Sequence, residues 1–226
     1  LMFKSVEPKF TVLFLIISSI LLSVLLLISN HGLAEEAKGK VVKIKSGKLE
    51  SFADGKWKEI KKDSAVSLGD RLRTDKNSFA VIDVPNIGRF VIGPDSEVEL
   101  GKETKDFKGN LPRGAVWLNS SLPKGKKASI TTTLATAGIR GTAFTVYYDG
   151  KNFCACTCSG EVEVILKNGQ ILKVPKAEYI SFASDSPIPE KSQSSMPMLV
   201  KGESAFNFCF NCHTEGGRGK LKQGWE

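Results

Sequence analysis

Six side chains have the types and spacing for chemistry: Cys154, Cys156 and Cys158 in Phe-Cys-Ala-Cys-Thr-Cys, and Cys209, Cys212 and His213 in Cys-Phe-Asn-Cys-His. The second set is a C-x-x-C-H match. In an exported protein, this spacing lets two thiols form thioethers with haem vinyl groups while the adjacent imidazole ligates iron, so covalent haem c is one expectation. Met196 or Met198 would supply the second axial ligand from upstream, or that position would stay open, because no methionine follows the motif. Only thirteen residues follow His213, so such a haem would have to pack against the rest of the chain.

The same atoms allow two other outcomes. Cys156 or Cys158 with Cys209, Cys212 and His213 could enclose a tetrahedral zinc or an iron–sulfur centre, which needs four soft ligands brought together by the fold. Alternatively, disulfides pin the tail, since exported cysteines oxidise readily. Five cysteines is an odd number, so disulfides within one chain cannot consume them all. If 154–158 is a strand, its three thiols share a face, with neighbouring Cα atoms about 6.5–7 Å apart, the outer limit for a disulfide. They suit a metal held with His213, or a partner from elsewhere, better than each other. The bland reading makes them small buried apolar groups sharing a face with Val162 and Val164, if the strand parity runs through Ser159 and Gly160.

The elements that must position these groups are short, alternating and punctuated by turns. Asp54-Gly55, Asp149-Gly150 and Asn168-Gly169 separate alternating runs, and Asx-Gly between such runs is the strongest short-range hairpin signal. Pro85-Asn86 divides 78–84 from 89–92, and Ser159-Gly160 reads as a further turn. No helical period of more than about ten residues follows the N-terminal region, which disfavours an α/β enzyme with crossover helices. The expectation is an all-β domain over 38–183 (a sandwich, a jelly roll or a short solenoid), then a Pro/Ser-rich linker over 184–197 and a Cys/His tail over 198–226. The chain has two histidines, and one, His31, lies near the N-terminal apolar run, so Ser/His/Asp hydrolase chemistry is excluded and no catalytic residue is expected.

Residues 10–29 carry no charge, follow Lys4 and Lys9, and precede Gly32, Leu33 and Ala34. About 20 helical residues span about 30 Å, enough to cross a bilayer, so 1–34 is either a signal peptide cut after Ala34 or a retained anchor. Both place the rest of the chain outside the cytoplasm, in the periplasm, free or held at the inner membrane. The net charge of +8 comes from scattered lysines (among them Lys38, Lys40, Lys43, Lys45, Lys48, Lys124, Lys126 and Lys127), with no arginine-rich stripe and no interleaved aromatics. Nucleic acid is therefore not an expected partner. A solvated surface, or attraction to anionic lipid or cell-wall polymers, accounts for the charge.

The stretches Val66-Ser-Leu-Gly-Asp-Arg-Leu-Arg-Thr74, Phe79-Ala-Val-Ile-Asp-Val84, Phe90-Val-Ile-Gly-Pro-Asp-Ser-Glu-Val-Glu-Leu100, Gly114-Ala-Val-Trp117, Ala137-Gly-Ile-Arg-Gly-Thr-Ala-Phe-Thr-Val146 and Gly160-Glu-Val-Glu-Val164, in this order, resemble the FecR-like periplasmic domain. The run Thr-Glu-Gly-Gly-Arg-Gly after His213 also looks like the glycine-rich stretch that follows the motif in c-type cytochromes. The first resemblance implies an exported, non-enzymatic binding or sensing module acting on an envelope protein, a cell-wall component or a small-molecule ligand. Only about nine residues precede the apolar run here, so the cytoplasmic anti-sigma segment of the family's best-known members is not expected to transfer. Gly138 and Gly141 are expected where a positive φ or a close backbone approach excludes a side chain, with Arg140 and Thr142 tying turns together.

Overall fold

The computed structural model describes residues 38–186 except 124, 140–142 and 177, together with the backbone of 190–193. The apolar run 10–29, Arg140, Gly141, Thr142, Cys209, Cys212 and His213 lie outside the described residues. Among the described residues there is no helix, and none long and apolar enough to cross a membrane. The fold is all-β.

In chain order the strands are β1 (Gly39–Lys45), β2 (Leu49–Ala53), β3 (Lys56–Ile60), β4 (Ala65–Val66), β5 (Arg71–Thr74), β6 (Phe79–Val84), β7 (Gly88–Ile92) and β8 (Glu97–Glu99). There follow β9 (Asp106–Ser120), β10 (Lys127–Thr131), β11 (Ala135–Ile139), β12 (Ala143–Tyr148) and β13 (Asn152–Ser159). The last four are β14 (Glu161–Leu166), β15 (Ile171–Pro175), β16 (Glu178–Ala183) and β17 (Glu190–Gln193). One sheet, A, runs β4-β1-β6-β7-β9-β12-β13-β16-β17. The other, B, runs β3-β2-β5-β8-β9-β10-β11-β14-β15.

The Asx-Gly pairs build hairpins where alternation places them: β2–β3, β12–β13 and β14–β15. Ser159-Gly160 does something else. Strand β13 pairs in sheet A and β14 in sheet B, so this turn carries the chain from one layer to the other. Face parity does not continue through it, and Val162 and Val164 point into the core between the layers, not onto the cysteine face. The expectation that they share a face is thereby corrected.

The 15-residue β9 belongs to both sheets. Asp106–Asn110 pairs with β10 in sheet B, and Gly114–Ser120 lies between β7 and β12 in sheet A. This bend also explains the parallel β9–β10 pair, which ordinarily needs a long crossover: the chain leaves β9 from the far sheet and returns to β10. The bend is made at Gly114, with φ of 93°. A Cβ there would overlap Ser96 Cα and Ser96 Oγ. The buried Ser96 hydroxyl accepts the Ala115 N–H at 2.9 Å and donates to the Pro94 carbonyl at 2.9 Å. Thr74 completes the network, donating from Oγ1 to the Gly93 carbonyl at 2.6 Å and accepting the Ser96 N–H at 3.1 Å.

The core between the layers includes Leu49, Leu72, Ile82, Phe90, Leu111, Leu118, Phe144, Phe153 and Val164. Phe90 of sheet A and Phe107 of sheet B meet across it with ring centroids 5.3 Å apart, a contact of about 0.5–1.5 kcal/mol beyond simple burial. The outer faces of the two sheets differ. In sheet B burial alternates, with inward Phe107, Gly109 and Leu111 and outward residues that are exposed or partly so. In sheet A, Ala115–Leu118 is buried on both faces, as is the run 153–158.

Gly138, expected to exclude a side chain, does not. Its φ is not positive, and a Cβ there would find its nearest neighbours at 3.8 Å, ordinary contact. The bend at Gly114 does require glycine, as does Gly88, where a Cβ would overlap the Asn119 carbonyl oxygen. Gly114→Ala is expected to cost about 2 kcal/mol or more in urea unfolding, from backbone strain and the overlap with Ser96. Gly138→Ala should change stability by less than about 1 kcal/mol, and toward greater stability. Equal losses in both variants would contradict this assignment.

Candidate functional site

Register places small side chains along the middle strands of the outer face of sheet B. One row runs Lys108, Ser129, Gly138, Glu163, Lys173, and the next Asn110, Thr131, Thr136, Ile165, Ile171. Serine, glycine and two threonines on β10 and β11 make a floor, and longer side chains on β9 and β14 make the walls. The result is a trough of about 630 Å³, within the range of small-ligand sites. Thr131 and Thr136 hydroxyls are 3.2 Å apart across the floor. One end carries Asp106, Lys127 and Glu161, Glu163 stands beside Gly138, and the other end finishes at Ile165, which is 41% exposed, beside Ile171 at 58%. The chemistry on offer is hydroxyl hydrogen bonding, charges of both signs and an apolar lip. It can hold and orient a ligand.

The same face continues over β2, β3 and β5 as a charge ladder with two aromatics. Arg73 Nε lies 2.7 Å from Glu50 Oε2, and Arg71 Nη2 lies 2.6 Å from Glu97 Oε1. Phe52 and Trp57 meet edge to face at 5.2 Å between centroids. Arg71 lies 4.9 Å from the Phe52 ring centroid and Arg73 4.3 Å from that of Trp57. The hydrogen bond from Arg73 holds the Glu50 carboxyl below its usual range, more than burial raises it.

Cys154, Cys156 and Cys158 are buried on the outer face of sheet A. Cys154 and Cys156 pack with Tyr147 and Tyr179, and Cys158 clusters with Val81, Val91, Ala115, Trp117 and Ala143. Cys154 is a free thiol, and Cys158 is disulfide-bonded. Burial pushes the Tyr147 hydroxyl up to about 12, with the Asp149 carboxylate reinforcing it, and that hydroxyl donates to Asp149 Oδ2 at 3.2 Å. Among the described residues no three His, Cys, Asp or Glu side chains converge as a metal site. The expected haem, zinc or iron–sulfur ligands Cys209, Cys212 and His213 lie outside the described residues.

Sequence reasoning singled out the cysteines and missed the trough. The small residues at 129, 131, 136 and 138 read individually as ordinary strand positions. They become a floor only because β10 and β11 are neighbours and sit in register. Alternation of small outward residues on two consecutive strands was the available signal.

Glu50 yields a pH prediction. Its folded pKa is depressed, so its stabilising contribution is present above the unfolded value of 4.5 and is lost as pH falls through the folded value. Glu50→Gln should therefore lower the urea midpoint at pH 7, and the deficit should shrink as pH falls below 4.5. A deficit that stays the same size would remove the ion pair as its cause.

Two crystal structures of a protein from Parabacteroides distasonis described as a "putative anti-sigma factor" are similar to this chain at 13% identity and a TM-score of 0.49. The match covers 55% of this chain and 60% of that one. No curated protein matches the chain. Residues 70–163, from just before β5 into β14, match the family model described as FecR protein, and this part of the chain is FecR-like.

Proposed function

We propose that the protein is a non-enzymatic binding or signal-sensing module of the bacterial envelope, exported to the periplasm and held at the inner membrane if the segment 10–29 is retained. The observation that carries this reading is the FecR match over 70–163, which covers the bend at Gly114, most of the trough and all three strand cysteines. The sandwich supplies a rigid platform. Its ligand is an envelope protein, a cell-wall component or a small molecule, and nucleic acid is not among its partners. The positioned groups on the outer face of sheet B bind and orient it.

A second reading is a periplasmic electron-transfer protein with haem c on Cys209, Cys212 and His213, favoured by the C-x-x-C-H spacing. A Soret band that stays with the protein after acid–acetone extraction is its signature. A third, a structural protein with its tail pinned by zinc or disulfides, gives a colourless product.

β-Lactamase joined after Ser186 should confer ampicillin resistance on cells carrying the fusion, whereas sensitivity with full expression would refute export. A photo-crosslinking residue at Thr136 should give a discrete adduct in the envelope fraction. The same residue at Lys56, the first residue of β3 beside the β2–β3 turn, should give none. Gly138→Trp, which fills the trough from its floor, should remove the adduct and leave the far-UV spectrum unchanged. An adduct indifferent to Gly138→Trp would place binding elsewhere.

A further inference from the structure

Lys108 on β9 and Glu163 on β14 put opposite charges on the two walls of the trough, and register sets them in one row with only Ser129 and Gly138 between. They stand three strand spacings apart, about 14 Å at Cα. Neither belongs to an ion pair among the described residues. Glu163 faces Lys173 across β14 and β15, but the Lys173 ammonium lies 3.2 Å from Glu161 Oε1 instead. An ammonium and a carboxylate thus flank the trough, each open to a partner of the other sign.

The floor between them has hydrogen-bonding capacity to spare. Thr131 and Thr136 share one hydrogen bond, which leaves their two hydroxyls one donor and further acceptor positions. The Ser129 hydroxyl reaches the Phe107 carbonyl only at 3.4 Å. Gly138 is the sharper observation. A glycine weakens the interior of a strand, and here neither a positive φ nor a crowded Cβ position requires one. Its missing side chain acts above the sheet, where it deepens the trough in the row of the two charges. A glycine of this kind marks a place where the backbone of a ligand comes close.

We propose that the trough takes a short peptide of about three residues with both termini free, its ammonium at Glu163 and its carboxylate at Lys108. Three extended residues span about 10 Å, which fits between the walls once the Lys108 and Glu163 side chains take their share of the width. The peptide backbone crosses over Gly138, its amides meet the Ser129, Thr131 and Thr136 hydroxyls, and an apolar side chain covers the exposed Ile165 of the lip. Charge-assisted hydrogen bonds at the two ends fix its direction. A ligand of one sign is disfavoured: an anion meets Asp106, Glu161 and Glu163, and a cation meets Lys108 and Lys127. The inference rests on the trough being the recognition site and adds the class of ligand.

Isothermal titration of the full chain with Ala-Leu-Ala should show saturable one-to-one binding. The N-acetylated and C-amidated forms of this peptide should each bind about tenfold more weakly or worse, through the loss of a charge-assisted contact. Lys108→Ala and Glu163→Gln should weaken the free peptide to the same extent. The exchange Lys108→Glu with Glu163→Lys should restore affinity, because the peptide then lies the other way round. Gly138→Ala should stabilise the fold yet weaken binding severalfold, a combination that a purely structural glycine does not give. Equal affinity for free and blocked peptides would overturn the proposal, and so would a loss confined to one end, which points to the terminus of a larger partner. If Ala-Leu-Ala does not bind, a Thr136 photo-adduct that Gly138→Trp removes keeps the trough as the recognition site and defeats this inference alone. Absence of that adduct as well defeats the trough itself.

Discussion

The close approach of Gly114 to Ser96 is the constraint on which the rest of the molecule depends. A strand can serve two facing sheets only if its backbone bends between them, and the bend leaves no room for a side chain. The polar atoms freed where β9 changes partners are met by the Ser96 and Thr74 hydroxyls, so the crossing buries its polar groups in hydrogen bonds. From it follow the parallel β9–β10 pair, the placement of β10 and β11 side by side, and the floor they make together. Sheet A is fixed by the same strand, since Trp117 stands between Val91 and Thr145 on its outer face.

The two sheets then take opposite characters from one topology. Sheet B alternates, turning hydroxyls, charges and an exposed isoleucine lip outward. Sheet A presents apolar groups to both sides. Three cysteines, Cys154, Cys156 and Cys158, lie buried on its second face. The proposed recognition surface is the outer face of sheet B, opposite in character to the buried outer face of sheet A. The sandwich between them is held by inter-sheet contacts such as Phe90–Phe107.

Much of this architecture is legible in the chain. The three Asx-Gly pairs mark hairpins because a tight turn between alternating strands needs residues that tolerate positive φ, and Asp54 and Gly150 have it. The FecR-like stretches announce an all-β body. The bend at Gly114 is not legible, because its partner Ser96 is eighteen residues away and only the folded backbone brings them together. Gly138 misleads for the complementary reason: a glycine in a strand can mark open space above the sheet as readily as a close approach below it. Ser159-Gly160 has the local chemistry of a hairpin yet switches layers, a choice set by which edge is free to accept β14. The stretches 115–118 and 153–158, read as alternating strands with one buried face, are buried on both, because burial of the second face depends on neighbours that periodicity does not show.

Native-state hydrogen exchange across β9 tests the central role of the crossing strand most directly. Amides of Leu111, Ala115, Val116 and Leu118 should exchange only through global unfolding, with the same free energy and denaturant slope, because their loss would separate both sheets at once. Exchange of the 106–111 half through a smaller opening, with the 115–118 half still protected, would mean that the two sheets stand independently and that β9 does not unite them.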